Sequence, residues 1–301
     1  MRTRQQLLLA GSLSTLIYTA YTILASATAY HRNIYAVLPT PAWAVLCLSL
    51  VCSVFTLYLS IHNKAKQDAA RASILLAVTY FVFWFYPIQI GLRFWTAPRG
   101  DLLLHFGFAK GIAATGSLPA RDSYPLSHIL LTQLHQVTGA RISLFGPTLS
   151  LVYYSIFIVG IILVARRYGS PRAAGYVLVA ATPLVFNKYT HTFMPWVLTF
   201  CLIPLLFVLS DTWSLTDHHS RQSSALIGVL LIAFFIIIGH PMTGVIFLAI
   251  LVATEFFRVA STYWTGENTI RPVPVSWGLI GVVAFPIWYL ARESVTFKIR
   301  A

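Results

Sequence analysis

The sequence predicts an all-α polytopic membrane protein with about nine transmembrane helices. Of its 301 residues, 57% are hydrophobic and 10% are charged, and the mean hydropathy is +0.75. Soluble domains carry about 25% charged residues, so a water-soluble enzyme of this length would have no place to bury so much apolar side chain. The same numbers exclude a disordered chain, a collagen, a coiled coil and a disulfide scaffold.

The nine predicted helices follow from apolar runs that reach or approach the ~20 residues needed to cross a bilayer. The first is longer than the apolar core of a signal peptide, so we interpret it as an uncleaved helix. Two helices in residues 1–71 precede a larger transmembrane core in residues 72–301. The runs cover residues 7–29, 42–61, 72–95, 145–165, 173–186, 193–210, 224–239, 241–257 and 275–291.

The net charge of +13 predicts an orientation rather than a nucleic-acid partner. With the N-terminus in the cytoplasm, the short inner loops hold about eleven Lys and Arg residues and the short outer loops about two, Arg32 and Lys188. This asymmetry predicts a multi-pass plasma-membrane protein with a cytoplasmic N-terminus. No basic helix or aromatic stacking platform lies outside the apolar runs, so no nucleic-acid binding is expected.

The three cysteines predict neither a disulfide nor a metal site. Cys47, Cys52 and Cys201 lie inside apolar runs, without a C-x-x-C pair or a nearby histidine at metal-ligand spacing. We therefore interpret them as small packing residues and expect no metal and no cofactor.

The one long connection, residues 96–144, is predicted to lie on the outer side and to contain two helices. Its first part, residues 100–116, begins with a helix N-cap signal at Asp101 and ends at Gly116. Leu102, Leu103 and Phe106 recur at helical spacing, so we expect an amphipathic helix lying along the membrane surface. A second amphipathic helix is predicted over residues 126–137. Loops of this length are usually functional or disordered, and this one is too apolar for disorder.

Polar residues on the outer face are the candidate functional residues. Asp101 and His105 are four residues apart and share a helix face. Asp101 and Asp122 are the only acidic residues that this topology places outside before the C-terminal tail, and carboxylates at the hydrocarbon boundary often mark sites. The other candidates on this face are Tyr124, His128, Lys188, His191 and His240.

Each candidate also has a structural interpretation. Asp101 fits a helix N-cap, Lys188 fits a lysine that extends to the membrane interface, and a single histidine is more often a hydrogen-bonded structural residue. The concentration of these groups on one membrane face favours a site for an anionic, membrane-bound substrate.

Several of these residues also carry a family resemblance. They are Gly100-Asp101, His105, Gly116, Asp122-x-Tyr124-Pro125 and His128. The pattern resembles the first large outer loop of the GT-C glycosyltransferases. It is most similar to archaeal-type proteins related to dolichyl-phosphate-mannose–protein mannosyltransferases and oligosaccharyltransferases. The His240-Pro241 boundary is similar to that group as well.

The resemblance implies a GT-C-like fold that transfers a sugar from a polyprenyl-phosphate donor to a glycan or protein acceptor at the outer membrane face. It implies that Asp101 is the catalytic base and that His105 orients this base or the acceptor. The implied substrate-binding residues are Lys188, His191 and His240 for the donor phosphate, and Asp122, Tyr124 and His128 in the outer loop.

The chain also departs from the family pattern. It has no D-x-D motif, and its long loop follows the third predicted span rather than the first, which implies two extra N-terminal helices. The chain also ends about ten residues after the last predicted span, as a truncated product would. Two other functions therefore stay open, a transporter or lipid flippase and a non-catalytic membrane subunit or fragment.

Overall fold

The computed structural model describes residues 2–24, 37–90, 101–119, 122, 124–169, 171–185, 194–215 and 219–265. All regular secondary structure in these ranges is helical. The helices are α1 (Arg2–Leu24), α2 (Thr40–His62), α3 (Lys66–Ile90), α4 (Asp101–Thr115), α5 (Pro125–Thr138), α6 (Ile142–Tyr168), α7 (Pro171–Ala180), α8 (Thr182–Val185), α9 (Pro195–Leu215), α10 (His219–Gly239) and α11 (Pro241–Thr265).

Within the described ranges, five stretches are long and apolar enough to cross a membrane, so the nine predicted spans are not confirmed. The five are Thr3–Leu24, Thr40–His62, Lys66–Phe85, Ile142–Tyr168 and Gln222–Gly239. Their outer faces carry large exposed apolar side chains such as Leu9 (72% exposed), Phe55 (52%) and Ile74 (64%). Apolar faces this extensive are typical of helices surrounded by lipid. The ninth predicted span, residues 275–291, lies outside the described residues.

The fifth predicted span, residues 173–186, is divided into α7 and α8, with Ala181 between them. Pro183 has no N–H to donate to the carbonyl of Val179. The Thr182 hydroxyl donates to this carbonyl instead, at 2.7 Å. Within the described residues, the result is a ten-residue helix, α7, followed by α8, which begins at Thr182.

The chain divides into two compact units. Unit 1 contains Met1–Leu104 and Ala140–Phe193. In its interior, hydroxyl groups link α1, α2 and α3: the Ser49 oxygen lies 2.6 Å from that of Thr15 and 2.9 Å from that of Thr79. All three side chains are buried, and such hydrogen bonds hold helices together where water is absent.

Unit 2 contains His105–Gly139 and Met194–Ala301, and it holds most of the described candidate residues. Here α5 packs against α10, and α9, α10 and α11 pack against one another. Gly116 and Gly139, at φ 68° and 69°, end α4 and α5, where a left-handed backbone favours glycine. The buried face of α4 contains His105, Phe106 and Ala109, whereas Leu103, predicted to be part of an apolar surface stripe, is exposed.

Candidate functional site

The centre of the candidate site is a chain of three hydrogen-bonded side chains inside unit 2. Oδ2 of Asp122 lies 2.7 Å from Nδ1 of His128, and Nε2 of His128 lies 2.9 Å from Nδ1 of His105. Asp122 and His128 are fully buried, and His105 is 6% exposed. A buried carboxylate is stable only when hydrogen bonds replace its water, and this arrangement supplies them.

The turn before α5 positions the carboxylate. The backbone N–H of Tyr124 donates to Oδ1 of Asp122 at 2.8 Å, which is the Asx turn expected for an aspartate two residues before the bonded amide. Pro125 then begins α5, since proline is tolerated in the first helical turn. His128, in the first turn of α5, faces back towards Oδ2 of Asp122.

Contacts between α4 and α5 hold the two helices together and fix the orientation of His128. The Thr132 hydroxyl lies 2.9 Å from both the Ala109 carbonyl oxygen on α4 and the His128 carbonyl oxygen on α5. The Phe108 ring stacks on the His128 ring with a centroid separation of 5.2 Å. These contacts limit rotation of His128, so its two nitrogens point to fixed partners.

Tyr124 contacts two histidines from separate elements. Its ring stacks on that of His240 at 5.1 Å with an interplanar angle of 9°, and it meets the His105 ring edge-on at 5.7 Å and 68°. His240 lies at the α10–α11 boundary, over 100 residues away along the chain. Residues from the long loop and from a distant helix boundary therefore meet in one place.

His240 also caps α11, and this cap fixes its tautomer. The backbone N–H of Thr243 donates to Nδ1 of His240 at 3.1 Å, and the Thr243 hydroxyl lies 2.9 Å from the same nitrogen. Because Nδ1 accepts, a neutral His240 carries its proton on Nε2. Burial disfavours the charged form and lowers the pKa of His240 to about 4 from its ordinary value of 6.5. We therefore expect a neutral hydrogen-bond donor here rather than a cation.

This lowered pKa predicts a pH effect on stability that His240→Asn removes. The unfolded chain binds a proton at His240 below pH 6.5 and the folded chain only near pH 4, so folding loses stability as the pH falls through this window. Asparagine keeps the N-cap but does not titrate. We expect the melting temperature of the wild type to fall more steeply than that of the variant between pH 7 and pH 4. Parallel curves in a fluorescence-detected melt would contradict this assignment.

Other predicted residues have only partial descriptions. Asp101 is the first residue of α4, one turn before His105, but its side chain lies outside the described part. Lys188 and His191 lie wholly outside the described residues. Asp122 and His128 are fully buried, and the described hydrogen bonds connect Asp122 to His105 through His128.

Sequence reasoning missed three residues of the site. The backbone N–H of Thr243 donates to His240. The available signal was Pro241, because a proline in the first turn marks a helix start and so places Thr243 within reach of the capping residue His240. Thr132 and Phe108 contact the neighbouring helix of the α4–α5 pair, and no local pattern indicates such contacts.

The carboxylate and the two histidines form a linear chain of hydrogen bonds, so their side chains do not point towards a common centre. In the part of the chain that the structure describes, no group of three or more His, Cys, Asp or Glu side chains is arranged to hold a metal ion. What this arrangement does support is proton transfer along the chain.

Comparison with protein-family models, curated proteins and solved structures finds no match for this chain.

Proposed function

We propose that the protein is a membrane glycosyltransferase that moves a sugar from a polyprenyl-phosphate donor to a glycan or protein acceptor at the outer membrane face. One observation carries this proposal: the long-loop residues His105, Asp122, Tyr124 and His128 are assembled with His240 from the α10–α11 boundary. This assembly combines a proton-accepting group with a neutral hydrogen-bond donor.

The proposed reaction is a single inverting displacement. The acceptor oxygen bonds to the anomeric carbon, and the bond from this carbon to the phosphate oxygen breaks. The lipid phosphate leaves with the electron pair, and the hydroxyl proton passes to a base on α4. The resemblance assigns this base to Asp101, whereas the described hydrogen bonds favour His105. Such positioned proton transfer typically contributes 10²–10⁴-fold.

The leaving phosphate gains negative charge and needs hydrogen-bond donors. Nε2–H of His240 is such a donor, because the bonds from Thr243 occupy Nδ1. Lys188 and His191 complete the proposed phosphate site. A lipid phosphate is already a good leaving group, so the proposal requires no metal and no cofactor.

A second candidate function is proton-coupled transport of a lipid-linked or other anionic substrate. Connected Asp and His side chains inside apolar surroundings also form the proton relays of membrane transporters. The buried Asp122–His128–His105 chain is therefore consistent with transport as well as with catalysis.

The test is an assay of the purified protein in lipid nanodiscs and in sealed vesicles. A panel of polyprenyl-phosphate sugars labelled in the sugar is supplied with peptide and glycan acceptors. We expect label to appear in an acceptor together with free polyprenyl phosphate. Movement of intact donor across the vesicle membrane, with no covalent product, would support transport. Absence of both binding and consumption across the panel would contradict the proposal.

A further inference from the structure

The hydrogen-bond chain Asp122–His128–His105 has a direction, and the carboxylate sets it. An ionised carboxylate only accepts hydrogen bonds, so Nδ1 of His128 must donate to Oδ2 of Asp122. In a neutral His128 the other nitrogen, Nε2, then carries a lone pair. Nδ1 of His105 lies 2.9 Å from this nitrogen and must be the donor in that bond.

The same reasoning determines the second nitrogen of His105. Its proton is on Nδ1, so a neutral His105 has its lone pair on Nε2. The two histidines thus carry their protons on the same type of nitrogen. Both tautomers depend on Asp122, which bonds directly to His128 and acts on His105 through His128. When Nε2 of His105 takes up a proton, the positive charge is shared along the chain and faces the negative charge of Asp122.

We propose that His105 accepts the proton of the attacking hydroxyl at Nε2, and that His128 and Asp122 are positioning residues that hold it in the accepting tautomer. The inference rests on the proposed glycosyl transfer for the identity of this hydroxyl and transfers the role of base from Asp101 to His105. After transfer, the Nδ1 proton of His105 can shift to His128, and the Nδ1 proton of His128 to Asp122.

The substitution Asp122→Asn tests this inference because it reverses the chain with little change in shape. Its amide oxygen can still accept the bond from the Tyr124 N–H, which leaves the amide NH₂ facing Nδ1 of His128. Nδ1 then becomes an acceptor, so the proton of His128 moves to Nε2 and is donated to Nδ1 of His105. His105 is left with its proton on Nε2 and no longer accepts one there.

The measurement is the ¹⁵N spectrum of histidine-labelled protein in nanodiscs at neutral pH, with signals assigned through His105→Gln and His128→Gln. In the wild type we expect both histidines to be protonated at Nδ1, and in Asp122→Asn both to be protonated at Nε2. We also expect the variant to lose transfer by about 10²–10⁴-fold and to lose the ionisation of His105 from its pH–rate profile. A purely structural role for Asp122 would lower the rate without removing the ionisation of His105 from the pH–rate profile.

Ser127→Ala is the matched control. Ser127 precedes His128 on α5 and is fully buried, and its hydroxyl has no hydrogen-bond partner among the described residues. Its removal should leave the tautomers and the transfer rate unchanged. Wild-type His105 protonated at Nε2 would overturn the inference even if Asp122→Asn fails to fold. If the wild type transfers sugar while His105 is protonated at Nε2, the role of His105 as the base is overturned and the proposed function stands. If His105 and His128 are both protonated at Nδ1 but no sugar is transferred, only the proposed function is overturned.

Discussion

His105→Gln is expected to lower the rate of sugar transfer by about 10²–10⁴-fold, because it removes the nitrogen that accepts the hydroxyl proton. Glutamine has a similar reach and can still donate to Nε2 of His128, so the α4–α5 contact should persist. The rate is measured with the labelled donor under single-turnover conditions, and folding is checked by the melting temperature.

Two further variants make this result specific. His62→Gln is the control, because His62 ends α2 in unit 1, where its ring stacks on Tyr58. Asp101→Asn tests the assignment implied by the family resemblance. If Asp101 is the base, Asp101→Asn loses transfer, and His105→Gln, which then removes only an orienting group, loses much less. A near-normal rate for His105→Gln would therefore return the role to Asp101.

Gly239→Ala is expected to destabilise unit 2 and to displace His240. A Cβ atom at this position would lie 2.6 Å from Cγ2 of Thr199 on α9, closer than side chains approach one another. Thr199 is fully buried, so the end of α10 must shift. Overpacking of this kind typically costs about 1–3 kcal/mol. The expected readouts are a lower melting temperature and a weaker affinity for polyprenyl phosphate.

A second substitution separates this steric effect from a loss of glycine flexibility. Thr199→Ser removes Cγ2 and keeps the hydroxyl that lies 3.0 Å from the Trp196 carbonyl oxygen. Combined with Gly239→Ala, it should restore most of the melting temperature and of the affinity. If the double variant is as unstable as Gly239→Ala alone, the close contact with Thr199 is not the cause.

The sequence predicted the local features of the site well. Residues 100–116 were predicted as a helix ending in glycine, and α4 spans Asp101–Thr115 with a left-handed Gly116. Residues 126–137 were predicted as a second helix, and α5 spans Pro125–Thr138. These boundaries depend on capping and turn residues, which act over a few positions and are therefore visible in the sequence.

Features that depend on packing between distant segments were not predictable. Sequence spacing did not indicate that His105 lies 2.9 Å from His128, which belongs to another helix. Pro183 lies inside the fifth predicted span, where a proline can interrupt a helix. Whether that interruption kinks or divides the helix depends on the partner of the Val179 carbonyl, which is the Thr182 hydroxyl.

The most direct test of the central claim, that these residues form one site for a lipid-linked sugar phosphate, is photo-crosslinking with a diazirine-bearing polyprenyl phosphate. The probe is added to the protein in nanodiscs, and the labelled peptides are identified by mass spectrometry. We expect labelling in the segments that contain His105, Tyr124 and His240, and we expect excess unlabelled polyprenyl phosphate to suppress it. Uniform labelling along the lipid-facing helices that excess polyprenyl phosphate does not suppress would contradict the claim.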